Sequence, residues 1–196
     1  MTPHGEGQRL AELSEAVRES TLKRLRVVPE GLENWRPVPS AMSFADLAHH
    51  IAEADRWLFR KLESPELPPM LGKVGEGAVD GRAQFLALVD ELVDLGRQRS
   101  VLLRGLDAAA LERRLPDARF GGEVSVWWIV VRGNLDHEAH HRGQLATYLR
   151  QVAEGGRLTA AMDQVIEEVG SEVDDFSRRA TRGVLERVEW EEEPGS

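Results

Sequence analysis

Apolar residues recur at helical spacing over four long stretches of the chain. In each stretch they stand three or four positions apart with charged residues between them, which is the pattern of a helix with one buried face. The spacing predicts long helices at about residues 8–28, 43–63, 80–106 and 125–153. Little of the chain alternates in the manner of a strand, so the expected fold is all-α, a four-helix bundle.

One part of the fourth stretch is open to a second interpretation. The run of apolar residues at 126–131 could by itself be a buried strand. The helical pattern continues beyond it through Leu135, Leu145 and Leu149, which favours a helix. Before this stretch we expect only a short helical turn at 108–113 and a loop closed by the glycines at 121–122.

Two connections between the helices carry turn-forming residues. Residues 30–40 include prolines and also Trp35, which we expect to pack as a lid over the bundle. Residues 65–77 are rich in proline and glycine and are long for a connection inside a compact domain. This second segment either borders the mouth of a site or only crosses between two helices.

The C-terminal part of the chain carries a separate pattern. From Thr159 onward apolar residues return at alternating spacings of four and three, which predicts another amphipathic helix. We therefore divide the chain into a bundle domain at 1–155, a C-terminal helical extension at 156–190 and a disordered acidic tail at 191–196. The extension is expected to dock on the bundle or on a partner subunit.

Charge and composition exclude several classes of function. The net charge of −9 and the lack of a basic patch argue against a nucleic-acid partner, because a phosphate backbone is itself negative. The chain has no cysteine, so disulfides, thiolate ligands and a cysteine nucleophile are excluded. No signal peptide is visible and the longest apolar run is too short for a membrane span, so we expect a cytoplasmic protein with no membrane partner.

Three histidines are positioned to bind a metal ion. His137 and His141 are four residues apart, so on the fourth helix they lie on one side, about one turn from each other. This spacing alone is weak evidence, since surface histidines also fall four apart by accident. On the second helix His50 lies at the edge of the apolar stripe, whereas His49 points toward solvent. The candidate metal ligands are therefore His50, His137 and His141.

Polar residues beside these histidines are candidates for orienting them. Glu138 and Arg142 are also four apart and face the same side of the helix, so we interpret them as a buried ion pair next to the ligands. An ordinary ion pair on the helix surface is the alternative. Asn134 and Gln144 are further candidates for groups that hold the imidazoles in place.

A site with three imidazole ligands has a defined chemistry. It leaves one coordination position of a divalent ion for solvent or substrate, which is typical of a catalytic rather than a structural zinc site. Such an ion lowers the pKa of a bound water or thiol and polarises a carbonyl group. Imidazole suits zinc, nickel, iron and copper alike, so the ligand set does not identify the metal.

Three short motifs follow one another along the chain. They are Trp35-Arg36-Pro37, then Ser43-Phe44 before Leu47-Ala48-His49-His50-Ile51, and then His137-x-x-x-His141-Arg142-Gly143-Gln144. In order and separation these motifs resemble the DinB-like (YfiT-type) superfamily of metal-dependent proteins, over most of the chain up to about residue 153. The resemblance implies a four-helix bundle with a long crossover, a homodimer, and a nickel, zinc or iron ion completed by water. It also implies that the ligands are His50, His137 and His141.

The resemblance also implies a class of reaction. Some members of the superfamily resemble thiol transferases or isomerases that use bacillithiol, mycothiol or glutathione. A site without cysteine suits this chemistry, since the cofactor brings the sulfur and the metal makes it a thiolate. Our leading hypothesis is a metal-dependent enzyme that transfers such a thiol to a small electrophile. The alternatives are a hydrolase that activates water on the metal, and a non-catalytic metal- or ligand-binding dimer acting in stress response.

Overall fold

The helices predicted from the apolar pattern are present in the computed structural model, which describes residues 5–155. They are α1 (Glu6–Arg26), α2 (Phe44–Glu63), α3 (Arg82–Arg104), α4 (Ala108–Glu112), α5 (Val126–Val130) and α6 (Asp136–Gly155). The bundle consists of α1, α2, α3 and α6, and both α1 and α2 pack against α3 and α6. The described residues are therefore all-α apart from one hairpin. The predicted C-terminal helix and acidic tail lie outside them.

The start of α2 is fixed by a capping box that the sequence indicates. The Ser43 hydroxyl accepts a hydrogen bond of 3.0 Å from the backbone N–H of Asp46, and the Asp46 carboxylate accepts one of 2.9 Å from the backbone N–H of Ser43. The same carboxylate accepts a bond of 3.0 Å from the backbone N–H of Gly77. This cap therefore ties the connection before α3 to the beginning of α2.

The fourth predicted helix is present but interrupted. α5 begins after Ser125, whose hydroxyl accepts a hydrogen bond of 3.2 Å from the backbone N–H of Trp128, which confirms the helical interpretation of the apolar run. A π-helical turn then spans Val131–Leu135, and α6 follows it. The wider turn holds extra chain, so residues beyond it lie on other faces than an unbroken repeat of 3.6 residues predicts.

A β-hairpin occupies the segment for which the sequence predicts only a loop. Its strands β1 (Arg114–Asp117) and β2 (Gly122–Ser125) are antiparallel, with Leu115 opposite Val124. A 3₁₀ turn joins them and ends at Gly121, whose φ is +76°. The prediction was wrong here because each strand has only four residues, which is too short for an alternating pattern to be visible in the sequence.

The buried core extends through all four bundle helices and α5. Its largest fully buried apolar side chains are Leu25, Phe44, Leu47, Ile51, Leu58, Phe85, Leu92, Leu103, Ile129 and Leu145. Near the start of α2, Trp35 packs against Phe44 and Tyr148 with ring centroids 5.9 and 5.8 Å away, which confirms its packing role. None of the described helices has both the length and the apolar composition needed to cross a bilayer.

Candidate metal centre

The three histidines predicted as ligands meet at one point between α2 and α6. Nε2 of His137 lies 3.0 Å from Nε2 of His50 and 3.0 Å from Nε2 of His141. The potential ligand atoms of all three lie within 4.8 Å of one another. Over residues 5–155, no further histidine, aspartate or glutamate joins this group. The packing of α2 on α6 thus brings together residues that are 87 positions apart in the chain.

Burial keeps the three imidazoles neutral near pH 7. Loss of solvent lowers the pKa of His50 to about 4 and that of His137 to about 3, and the neighbouring histidines add to both shifts. Burial also lowers the pKa of His141, against the opposing effect of its contact with Gln144. Neutral imidazoles offer the nitrogen lone pairs that a metal ion requires.

Side-chain contacts determine how the rings are oriented. Oε1 of Gln144 lies 2.7 Å from Nδ1 of His141. An amide oxygen can only accept, so Nδ1–H of His141 donates and its Nε2 keeps a free lone pair toward the other two rings. Nδ1 of His137 is buried and has no hydrogen-bond partner among the described residues.

The donor set fits a divalent cation better than it fits hydrogen bonds among the rings. Nε2 of His137 carries one proton or one lone pair, yet it stands at hydrogen-bond distance from two other imidazole nitrogens. Nitrogen ligands lie about 2.0–2.1 Å from zinc, so two of them on one ion stand roughly 3 Å apart. The separations of 3.0 Å agree with this requirement.

The proline- and glycine-rich segment before α3 covers one side of the site. A Cβ atom at Gly72 would stand 2.5 Å from Cε1 and Nδ1 of His50, and one at Gly77 would stand 2.5 Å from Cβ of His49. A pocket of about 60 Å³ lies here between the two histidines and residues 70–73. Of the two interpretations of this segment, the structure supports the one in which it borders a site.

His49 differs from its predicted position in part. It is half-buried beneath Gly77 instead of pointing into solvent, because the long connection folds back over this face of α2. It takes no part in the group formed by the other three histidines. The helical wheel therefore distinguished His50 from His49 correctly, although it could not show what covers the outer face.

A buried network of charges lies next to the histidines and joins all four bundle helices. Arg18 of α1 donates to the carboxylates of Asp55 on α2 and Glu138 on α6 at 2.7 to 2.9 Å. Arg99 of α3 donates to the same two carboxylates and to Oδ1 of Asn134, also at 2.7 to 2.9 Å. These five residues are at most 4% exposed. Two cations face two anions, so the network is neutral as a whole.

Glu138 has two partners that the sequence did not predict. Burial by itself would raise the pKa of the Glu138 carboxyl, but the charges and hydrogen bonds of Arg18 and Arg99 hold that pKa well below its ordinary value. Arg142 is half-buried, and burial lowers its pKa while the Glu138 charge acts in the opposite direction. Glu138 is thus held by hydrogen bonds from α1 and α3, and its predicted ion pair with Arg142 stays a prediction.

Sequence reasoning missed the other charged members of this network. Arg18, Asp55 and Arg99 each stand four residues from a core position of their own helix, and those core positions are Leu22, Ile51 and Leu103. A charged residue inside an apolar stripe is the signal that could have found them, because such a residue needs a buried partner.

The chain matches one known protein family. A family model of the DinB superfamily matches residues 13–145, which is more than half of the 196-residue chain. The matched span runs from α1 to α6 and contains all three histidines. Among curated proteins, none matches the chain. On the extent of the family match, the chain belongs to the DinB superfamily.

Proposed function

We propose that this protein is a divalent-metal-dependent enzyme that transfers a low-molecular-weight thiol to a small electrophile, or uses the thiol to isomerise one. The observation that carries the proposal is the convergence of three neutral imidazole nitrogens. His50, His137 and His141 would hold the ion. When bound, the ion supplies a Lewis acid that lowers the pKa of a thiol or water and polarises a carbonyl group.

The number of ligands supports a catalytic site. Structural zinc sites are closed by four protein ligands, usually with cysteine among them, whereas catalytic sites keep one position open. The chain has no cysteine, and within residues 5–155 the group consists of three histidines. His50 and His141 are buried and His137 is half-buried, so protein surrounds the group.

The absence of cysteine also bears on the nucleophile. The chain has no cysteine and cannot supply a thiol, so a cofactor of the bacillithiol, mycothiol or glutathione type would bring it. In the transfer, the thiol loses its proton to solvent and the thiolate sulfur forms a bond to an electrophilic carbon. The bond from that carbon to the leaving group breaks, and the leaving group departs with the electron pair.

The residues around the histidines have supporting roles in this proposal. Gln144 holds the tautomer of His141 that directs Nε2 into the site. Glu138, fixed by Arg18 and Arg99, places a negative charge behind the ligands. That charge acts on His141 by raising its pKa against the effect of burial.

The first test measures metal content and turnover on the same preparations. Protein purified without a nickel column should contain about one divalent ion per chain. The His50→Ala variant should lose this ion. The control variant His140→Ala changes an exposed histidine on α6 and should keep it. The zinc-loaded protein should conjugate glutathione with 2-chloroacetamide faster than zinc alone does.

We propose a homodimer, so light scattering should give about twice the chain mass of 21.9 kDa.

Other outcomes of this test separate the alternative functions. Turnover of an ester without any added thiol would identify a hydrolase. Tight binding of metal and ligand with no turnover, over a panel of thiols and electrophiles, would identify a non-catalytic binding protein. Failure to retain any divalent ion would overturn both enzymatic functions, because each of them depends on a metal at the histidine site.

A further inference from the structure

The guanidinium of Arg119 is held rigidly beside the histidine site. Its Nε and Nη2 donate to the carboxylate of Asp117 at 3.0 and 2.6 Å. Its planar group lies over the ring of Trp57, 4.3 Å from the ring centroid. Gly133 lies on another side, where a Cβ atom would stand only 3.0 Å from Nη2. These three contacts order the side chain before any ligand arrives.

The contacts of Arg119 place it close to the metal ligands. Gly133 lies in the π-helical turn that leads into α6 and precedes His137 by four residues. Trp57 follows His50 by seven residues and so lies on the same face of α2. Burial is the main cause of the low pKa of His137, and the positive charge of Arg119 contributes to it. Arg119 therefore lies near His137.

Part of this guanidinium remains available to a ligand. Nη1 has no hydrogen-bond partner among residues 5–155, although the other two nitrogens bind Asp117. The Arg119 side chain is 29% exposed, in contrast to the Asp117 side chain at 1%. The exposed edge of the guanidinium can therefore accept a second anion.

The local charge around Arg119 is positive. Burial by itself would raise the pKa of Asp117. Hydrogen bonds from Arg119 and the positive charges of Arg119 and Lys61 lower this pKa instead. Lys61 is 2% exposed and donates to the backbone carbonyls of Pro65 and Leu67. One buried carboxylate between two fixed cations leaves an excess positive charge, which favours an anionic ligand.

We propose that Arg119 anchors the substrate of this site by binding its carboxylate through Nη1. The inference rests on the proposed function, because it names the substrate class of the same site. A planar guanidinium matches the geometry of a carboxylate, and its fixed orientation lowers the entropy lost on binding. The substrate is therefore a small electrophile that carries a carboxylate.

The test uses succinate as an unreactive four-carbon acid and succinamide as its neutral counterpart. Titrations followed by NMR, with the indole N–H of Trp57 as the reporter, are made on metal-free and zinc-loaded protein. We expect succinate to shift this resonance saturably and succinamide to leave it unchanged. Arg119→Gln should weaken succinate binding at least about tenfold in both forms, and Arg119→Lys, which keeps the charge, should weaken it less.

Arg114→Gln is the matched control, because Arg114 lies on the same hairpin and bonds the backbone of Glu123 instead. This variant should bind succinate like the wild type. Equal binding by Arg119→Gln, or an equal loss in Arg114→Gln, would overturn the proposal. Thermal melts and zinc content show whether Arg119→Gln is folded, and if it is not, Arg119→Lys carries the test. Succinate binding that depends on Arg119 in a protein without thiol turnover would uphold the anchor and remove only the thiol chemistry.

Discussion

At the scale of single residues, the environment of each histidine decides its charge. Burial lowers the pKa of His50 to about 4 and that of His137 to about 3, from 6.5 for an exposed histidine. The unfolded chain therefore binds protons below about pH 6.5 that the folded site does not accept. The same burial that excludes protons keeps the lone pairs available for a cation.

Metal-free protein should lose stability as the pH falls from about 7 to about 4. In this window the unfolded state binds more protons at the buried histidines than the native state does, so the free energy of unfolding decreases with decreasing pH. Thermal unfolding over a pH series measures the effect. His137→Gln should flatten this dependence, whereas His140→Gln on the exposed face of α6 should not. Equal slopes in wild type and His137→Gln would contradict the argument.

At the scale of elements, connections rather than helices complete the site. The segment before α3 lies against His50 at Gly72, and the capping carboxylate of Asp46 holds the same segment at Gly77. The β-hairpin carries Arg119, which approaches Gly133 of the π-helical turn. Short, irregular elements thus surround a site whose ligands come from regular helices.

Gly72→Ala should weaken metal binding while leaving the bundle folded. The added Cβ would stand 2.5 Å from two atoms of the His50 ring and from Cε of Met42, so the ring must move out of its position. We expect roughly a tenfold loss of zinc affinity, the size found when a contact that orients a ligand is lost. Competition with a chelator measures it.

Gly143→Ala provides the control for this variant. Gly143 lies on α6 beside His141, but a Cβ atom there meets nothing within 4 Å. It should bind zinc like the wild type and gain slight helix stability, since alanine favours helix over glycine. An unchanged zinc affinity in Gly72→Ala would show that the segment before α3 does not hold the His50 ring in place.

At the scale of the whole molecule, the buried charge network is the contact shared by all four helices. Its hydrogen bonds connect residues that stand 35 to 120 positions apart. Buried charges tolerate little rearrangement, because each carboxylate that loses an arginine is left desolvated and unpaired. The network therefore sets the relative positions of α2 and α6, which carry the three histidines.

Arg99→Met should destabilise the fold by about 3–5 kcal/mol, because it removes one cation from two buried carboxylates. Arg97→Ala changes an exposed arginine of α3 that pairs with Asp94 at the surface, and it should cost no more than about 0.5 kcal/mol. Urea unfolding gives both values. A loss of similar size in the two variants would mean that the network contributes no more than a surface ion pair.

Local sequence patterns predicted the helices well because their causes are local. The apolar repeat and the Ser43 cap depend on neighbours within four residues, and the position of His50 on the flank of α2 follows from the same repeat. The hairpin and the π-helical turn were missed, since four-residue strands and a single widened turn leave no periodic signal. The bonds from Arg18 and Arg99 to Glu138 were missed because these arginines are far from Glu138 in sequence.

By itself the sequence determined the all-α class, the four bundle helices and the three imidazoles that face inward, because helical periodicity and side-chain chemistry act over short distances along the chain. Tertiary structure alone decided that these imidazoles stand 3.0 Å apart, that two arginines from other helices neutralise Glu138, and that Arg119 lies beside the site. Such contacts join residues far apart in sequence, and their geometry exists only once the helices have packed.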